Sequence, residues 1–440
     1  MSSQVKNDFL VSIMDHICVF ELPKYLEFYD LVQYFSTCRR LALLSERALK
    51  QVKYAKVKNA KLLHAHCPNI RKMHIEDYSP EVLLFPVEDI TANNTWLFYE
   101  NELPLLKRLK CPSIPRLEVL PNLDYLSTKY DKYQVSTYYA NYASIKSIEF
   151  KVTSGRYCTP NLPVVSLGLA RWYPEDIPII KTLPLKKLII EYTRSFDVSL
   201  FEVEELCAQS DNFTNLHLLS NSLRNLMLYS TNPVEMPNKP LPFGVRRLRL
   251  CNFILTLAIM KDLRLHGLEL VGCKFHPDEM IYLERQPIQR LSIIRSPINF
   301  AYIEHMPLIS LKLESVTVNF DILPKSIKNL SLNNVELKNF NLDLHSLELC
   351  EISLDEFSLQ KIATLPLTYL KMNSCDMDDD MMRILFDGTV LAETLRRFTS
   401  DSKFTYAIFD ILKRVPLKDL EIPTFSSMEI YKLVTTNFKK

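Results

Sequence analysis

The chain has 440 residues, and its 53 lysines and arginines against 51 aspartates and glutamates give a formal net charge of +2. This balance excludes a general polyanion binder, and the length would be unusual for a single globular core. Hydrophobic residues make up 47%, enough to fill a large core. The chain has only six glycines, none of them in a GxGxxG or P-loop motif, which argues against phosphate-cradling loops.

The distribution of cysteines and apolar residues points to the inside of the cell. The ten cysteines occur singly, without a CxxC pair, which favours a reducing compartment. Asp15 and His16 interrupt the first apolar stretch, so no secretory signal is apparent, and no apolar run approaches the roughly 20 residues of a membrane span. We therefore expect a cytoplasmic or nuclear protein with no membrane partner.

Residues 1–60 are predicted to form a small helical module. Apolar residues recur there at spacings of three and four in two segments, which Leu22-Pro23 separates. The first segment contains Phe9, Leu10, Ile13, Ile17 and Phe20, and the second contains Leu31, Tyr34, Phe35, Cys38 and Leu41.

A basic segment overlaps the end of this module, at residues 39–72. It holds ten lysines and arginines and a single acid, Glu46. Such a segment can contact an acidic protein or a phosphate backbone, and it can also be a solvated helix face.

The rest of the chain repeats one pattern: an apolar residue, two variable residues, then Leu-x-Leu. Clear copies begin at Leu185, Leu223, Val245, Leu265, Ile288, Leu308, Ile327, Leu344, Leu367 and Leu417, and weaker ones at Ile70, Leu106, Ile145 and Val164. A period of about 20 residues is typical of stacked units with one strand each.

The Leu-x-Leu core of the pattern predicts how these units stack. Its two leucines point to the same side of a strand, so parallel stacking merges them into one continuous core. Prolines directly before several copies fix the register, at Pro184, Pro287, Pro307, Pro366 and Pro416. The side chains between the leucines are then left on an exposed concave row.

This pattern resembles the leucine-rich repeat family, whose consensus is L-x-x-L-x-L-x-x-N/C-x-L. The ninth position is Cys273 or Cys375 in some copies but Phe253 or Val335 in others, so we expect irregular turns without an asparagine ladder. The resemblance implies an α/β fold: a leucine-rich repeat solenoid over residues 61–440, with a curved parallel sheet, short irregular repeats and a C-terminal cap.

The helical module is similar to an F-box in its second half. Asp30-Leu31 followed by Cys38-Arg39-Arg40-Leu41 resembles DL-x₆-CR-x-W, although Leu41 replaces the usual tryptophan and the Leu-Pro opening is missing. The resemblance implies a substrate receptor of an SCF-type ubiquitin ligase complex, docked on an acidic Skp1-like adaptor. The adaptor-binding residues it implies are Leu10, Ile13, Ile17, Leu31, Tyr34, Phe35, Cys38 and Leu41. A helical cap that only shields the first repeat is the alternative.

The concave row is the candidate site for an unidentified protein target. Its candidate residues are Lys187, Tyr229, Arg247, Arg249, Arg290, Lys312, Tyr369 and Lys371. Arginine forks bind carboxylates and phosphates bidentately, so an acidic or phosphorylated segment would fit. The alternatives are that these are solvated strand residues, or that the protein is a scaffold or a nucleic-acid-associated assembly protein using segment 39–72.

We expect no catalysis, no cofactor and no metal. No nucleophile elbow, HExxH or paired-carboxylate motif occurs. The cluster His64, His66, Cys67 and His74 is interpreted as one face of the first repeat, because no second cluster completes a zinc site. The acidic residues Asp376, Asp378, Asp379 and Asp380 are predicted to cap a helix over 381–386.

Overall fold

The structure is a computed structural model. It describes residues 54–57 (backbone), 71–75, 86–93, 103–112, 120–128, 145–152, 154–155, 158, 163–197, 199, 201–236, 239–318, 320–337, 342–402, 404–417 and 419–422. The chain divides into two compact units, Met1–Tyr192 and Thr193–Lys440.

The first unit is built on short strands, each paired in parallel with the next along the chain. One short helix, α1 (Ile177–Ile180), precedes the last strand. The strands are β1 (Tyr54–Val57), β2 (Lys72–Ile75), β3 (Asp89–Ala92), β4 (Arg108–Cys111), β5 (Tyr125–Thr128), β6 (Ser147–Val152), β7 (Val164–Leu169) and β8 (Lys187–Thr193).

The second unit continues the same construction. Two short strands, β9 (Phe196–Asp197) and β11 (Phe213–Thr214), pair with each other. The main strands, again parallel and in chain order, are β10 (Glu205–Ser210), β12 (Asn225–Glu235), β13 (Arg247–Ile254), β14 (Gly267–Val271), β15 (Arg290–Ile294), β16 (Ser310–Glu314), β17 (Asn329–Asn333), β18 (Ser346–Cys350), β19 (Tyr369–Asn373), β20 (Arg397–Ser400) and β21 (Asp419–Glu421).

The connections between these strands change along the second unit. From β13 to β17 they contain 3₁₀ turns, and one short helix, α2 (Ile281–Glu284). After β18 the connections contain α-helices: α3 (Glu356–Ala363), α4 (Asp379–Phe386), α5 (Val390–Thr394) and α6 (Tyr406–Leu412). Among the described residues, no helix is long and apolar enough to cross a membrane.

The paired leucines form the core, as predicted. From β13 to β19, seven successive residues beginning at Leu248 are aligned in register, and a second column begins at Leu250. Every member of both columns is at most 2% exposed. Burial of each such side chain is worth about 1.5–3 kcal/mol, so the columns supply a large part of the stability of this unit.

The turns after the strands are regular, contrary to the prediction. The second residue after each inner leucine has a left-handed backbone, with φ between 49° and 63°, at Asn252, Gly272, Arg295, Ser315, Asn334, Glu351 and Ser374. From Gly272 to Glu351, the N–H of each donates to a carbonyl oxygen of the next strand at 2.8–3.0 Å. Because backbone atoms form this ladder, the turn repeats although its residues do not.

Side chains add to the ladder only locally. Cys273 donates its backbone N–H to Ser296 Oγ at 2.9 Å, and its own Sγ lies 3.3 Å from the Leu250 carbonyl oxygen. The predicted cap of α4 is confirmed, with the helix starting at residue 379: the Asp378 carboxylate accepts from the N–H of Met381 at 2.8 Å.

The strand stack begins earlier than residue 61. β1 lies within the segment 1–60 predicted to be helical, and it pairs in parallel with β2. Four residues are too few for apolar spacing to separate a strand from a helix, which is why the sequence pattern did not predict this strand. The two predicted helices and all eight adaptor-binding residues lie outside the described residues.

Candidate binding face

The side chains that alternate with the buried leucines along the strands of the second unit lie on the opposite side of the sheet, which we call the outward face. Parallel register aligns them in rows. The first row is Asn225, Arg247, Gly267, Arg290, Ser310, Asn329, Ser346, Tyr369, Arg397 and Asp419. The middle row is Met227, Arg249, Glu269, Ser292, Lys312, Ser331, Glu348, Lys371, Thr399 and Glu421.

Arg247, Arg290 and Lys312 are the cations of this face that are open to a partner. All three are exposed, and none has an ion-pair partner among the described residues. Each lies directly beside a buried leucine of its own strand: Arg247 beside Leu248, Arg290 beside Leu291, and Lys312 between Leu311 and Leu313. The geometry therefore brings together three of the predicted site residues as an unneutralised positive patch.

Arg249, also predicted for this site, is engaged within the protein. Its Nε lies 3.3 Å from a carboxylate oxygen of Glu269, and its guanidinium stacks 5.2 Å from the ring centre of Tyr229. Burial raises the pKa of Tyr229, whereas the nearby Arg249 charge lowers it. These contacts hold the Arg249 guanidinium in place, so a partner would have to compete with Glu269 for it.

Tyr369 belongs to a second network near the end of the unit. Arg397 lies 5.8 Å from its ring centre and pairs with Asp419 at 2.8 Å. Burial raises the pKa of Tyr369, and the Glu348 carboxylate raises it further. Lys371 is half-buried between Glu348 and Thr399 in the middle row.

Sequence reasoning missed Arg397, because β20 ends in Ser400 where other repeats have a leucine. The available signal was the dipeptide Arg396-Arg397, which repeats Arg246-Arg247. In both pairs the first arginine is structural: Arg246 Nη1 donates to the carbonyl of Phe243 at 3.2 Å, and Arg396 donates to neighbouring turn carbonyls. In both pairs the second arginine lies exposed on the outward face.

Lys187 lies in the first unit, half-buried on β8 beside Ser166 of β7. The outward side of this unit is largely charge-paired. Lys72 lies 3.5 Å from Asp89, and Lys151 forms an ion pair with Glu191.

The two described members of the basic segment with placed side chains, Arg71 and Lys72, both meet acids of the next repeat. Arg71 donates to Glu88 at 2.8 Å. The pKa of Glu88 is lowered, chiefly by the hydrogen bond from Lys107 and also by Arg71. At this end of segment 39–72 the positive charge is therefore already neutralised.

An open groove of about 440 Å³ is lined mainly by residues that directly precede β4, β5 and β6. Its charges are also paired: Lys107 with Glu88 at 3.1 Å and Lys146 with Asp124 at 2.9 Å. Leu105 supplies an exposed apolar wall. With no unpaired polar group among these, the groove makes a poor ligand site.

The described residues contain no cluster suited to binding a metal ion. No three His, Cys, Asp or Glu side chains come together there as metal ligands. Asp176 is buried, but Ser154 Oγ and the Gly155 N–H both donate to it at 2.7 Å. Burial, aided by Asp176, raises the pKa of Cys158 to about 12, which keeps this sulfur a thiol.

The described strands have the architecture of leucine-rich repeats: one strand per repeat, parallel pairing and aligned buried leucines. No family model and no curated protein matches the sequence. Among solved structures, the chain is similar to one titled as a crystal structure of a TLR13–ssRNA13 complex. The identity is 14% and the TM-score 0.33, over 86% of this chain and 67% of that one. A likeness at this TM-score does not establish a shared fold or ligand.

Proposed function

We propose that the protein is a non-catalytic interaction protein that binds an acidic or phosphorylated segment of a partner on the outward face of its second unit. The observation that carries this proposal is the patch of Arg247, Arg290 and Lys312, exposed and without internal ion pairs among the described residues. Unpaired guanidinium groups on fixed strands are suited to bidentate contacts with carboxylates or phosphates.

Photocrosslinking tests this proposal directly. A photoreactive residue at Asn329, exposed on the first row, should form adducts with a partner protein in cells. The triple variant Arg247→Glu, Arg290→Glu, Lys312→Glu should lose these adducts. A matched control reverses three exposed cations outside the strands, Lys261, Arg285 and Lys325, and should keep them. Equal yields from the two triple variants would contradict the proposal.

A finer proposal is that the partner is a target for ubiquitin transfer and that a Skp1-like adaptor binds the N-terminal segment, in the cytoplasm or nucleus. Its support is the F-box-like sequence from Asp30-Leu31 to Cys38-Arg39-Arg40-Leu41. Leu31→Asp with Cys38→Asp should abolish co-purification of the adaptor while the Asn329 adducts persist. An adaptor that stays bound to this variant, or never co-purifies with the wild-type chain, contradicts the finer proposal alone.

The competing function is nucleic-acid binding by segment 39–72. It predicts salt-dependent binding of DNA or RNA that is lost when Lys50, Lys53 and Lys56 are neutralised. The pairing of Arg71 and Lys72 with Glu88 and Asp89 leaves fewer cations for this role.

A further inference from the structure

The outward face contains a gap between two arginines, at Gly267. Register places Arg247, Gly267 and Arg290 side by side on β13, β14 and β15. The two arginine Cα atoms are therefore two strand spacings apart, about 10 Å. We propose that this gap binds a single phosphorylated side chain, phosphoserine or phosphothreonine, of a partner protein. This inference rests on the proposed function and names the group that the face recognises.

The glycine is not required by the fold. A Cβ at residue 267 would lie 3.7 Å from Arg247 Cγ and 4.0 Å from the Arg290 carbonyl oxygen, both ordinary contacts, and its φ is not left-handed. A glycine within a strand is destabilising because of its greater backbone entropy in the unfolded chain. Since neither packing nor backbone geometry demands it, the missing side chain is best explained by the space it leaves between the arginines.

A second outward-facing glycine shows how such a gap is filled internally. In the first unit, Lys151 lies against Gly168, where a Cβ would be 3.3 Å from Lys151 Cγ, and the lysine forms an ion pair with Glu191 on β8. At Gly267 both flanking residues are cations, and no acid among the described residues pairs with either. An anion from a partner would pair with the cations beside Gly267, as Glu191 pairs with Lys151 beside Gly168.

The surroundings favour a phosphomonoester. It carries about 1.5 to 2 negative charges and three acceptor oxygens, enough for two guanidinium groups at once. Further donors are close in the middle row: Lys312 is exposed, and Ser292 Oγ is buried without a hydrogen-bond partner. Lys312 adjoins Ser292 in register.

Acidic residues limit the positive patch on both sides. Glu269 adjoins Ser292 on one side, and Glu348 lies two strands beyond Lys312 on the other. A nucleic acid, with a charge on every nucleotide, would meet both carboxylates, whereas one phosphorylated side chain at the gap would lie near Glu269 alone, whose charge Arg249 already balances at 3.3 Å.

Binding of peptide libraries to the full chain tests the inference. One library has a central phosphoserine flanked by randomised neutral residues, and the other has serine at that position. The phosphorylated library should be retained at least about tenfold better, and the advantage should vanish with Arg247→Ala and Arg290→Ala together. It should also vanish with Gly267→Glu, which supplies an internal carboxylate. Lys261→Ala with Arg285→Ala, two exposed cations outside the strands, is the control that should keep it.

Two outcomes would overturn the inference: equal retention of the two libraries, or discrimination that survives Gly267→Glu. Preferential retention of an oligoribonucleotide, lost in the same variants, would also overturn it in favour of a nucleic-acid face. If discrimination fails while the Asn329 adducts still require Arg247, Arg290 and Lys312, only this inference falls. If the adducts are also unaffected by the charge reversals, the proposed function falls as well.

Discussion

Individual residues differ sharply in how much their position constrains them, and the glycines show this best. Gly272 has φ +59°, and a Cβ there would lie 2.5 Å from Asn252 Oδ1, whereas a Cβ at Gly267 meets only ordinary contacts. The sequence alone does not distinguish the two, since each glycine lies within or beside a Leu-x-Leu copy. Only the backbone conformation separates a glycine that the turn needs from one that leaves space.

We expect Gly272→Ala to destabilise the protein by about 1–2 kcal/mol, because a Cβ is strained in the left-handed region and would displace Asn252. Gly267→Ala should be neutral or stabilising by up to about 1 kcal/mol. Urea unfolding followed by circular dichroism measures both. A Gly272→Ala variant as stable as Gly267→Ala would contradict the left-handed backbone described at residue 272.

At the binding face, the sequence predicted which side of the strands the arginines occupy but not which of them form ion pairs. The pattern placed Arg247, Arg249 and Arg290 on one side of the strands, which the structure confirms. It did not predict that Arg249 pairs with Glu269, because that contact depends on which residues of two successive strands align.

At the scale of elements, aligned leucines predicted most of the strands, and four of those that were missed share a cause. The copies at β3, β5, β10 and β20 carry Ala92, Thr128, Ala208 and Ser400 where the pattern has its last leucine. These small side chains are still buried, because the neighbouring strands fix the register. Neighbour pairing is a tertiary effect that a search for Leu-x-Leu does not detect.

The buried columns predict a local response to core mutations. Leu311→Ala on β16 should cost about 2–5 kcal/mol, since it leaves a cavity in a column where Leu311 itself is 0% exposed. Because each repeat contacts mainly its neighbours, amide hydrogen exchange should accelerate most in β15 and β17 and least in β21. Uniform acceleration across the second unit would contradict this linear arrangement of the core.

The helix α4 depends on its N-terminal cap. We expect Asp378→Ala to cost about 1 kcal/mol, because the N–H of Met381 loses its acceptor, and Asp378→Ser to restore most of the loss. Asp380→Ala is the matched control: among the described residues its side chain forms an exposed ion pair with Arg383, worth about 0.5 kcal/mol or less. Thermal unfolding compares the three variants, and equal losses for Asp378→Ala and Asp380→Ala would argue against the cap.

At the scale of the whole molecule, a net charge of +2 conceals an uneven distribution. The outward side of the first unit is neutralised by pairs such as Lys72 with Asp89, whereas the second unit presents Arg247, Arg290 and Lys312 together. Composition could not predict this difference, since both units contain many cations. It follows from where the register places the acids.

Partner binding through these three cations should weaken with added salt. The Debye length falls from about 10 Å at 0.1 M to about 3 Å at 1 M salt, so the yield of Asn329 adducts should drop over that range. The Lys261, Arg285 and Lys325 control variant should show the same salt dependence as the wild-type chain. A yield independent of salt would indicate that apolar contacts dominate the interface.

The main-chain ladder at the turns has a practical consequence for anyone labelling this protein. Arg295, Ser315, Asn334, Glu351 and Ser374 are exposed at successive corners, and the corner bond at most of them uses only main-chain atoms. These side chains can therefore be replaced by dyes or spin labels with little disturbance of the sheet. Labels at neighbouring corners would be one strand spacing apart, roughly 4.8 Å, and could therefore report distances along the stack of strands.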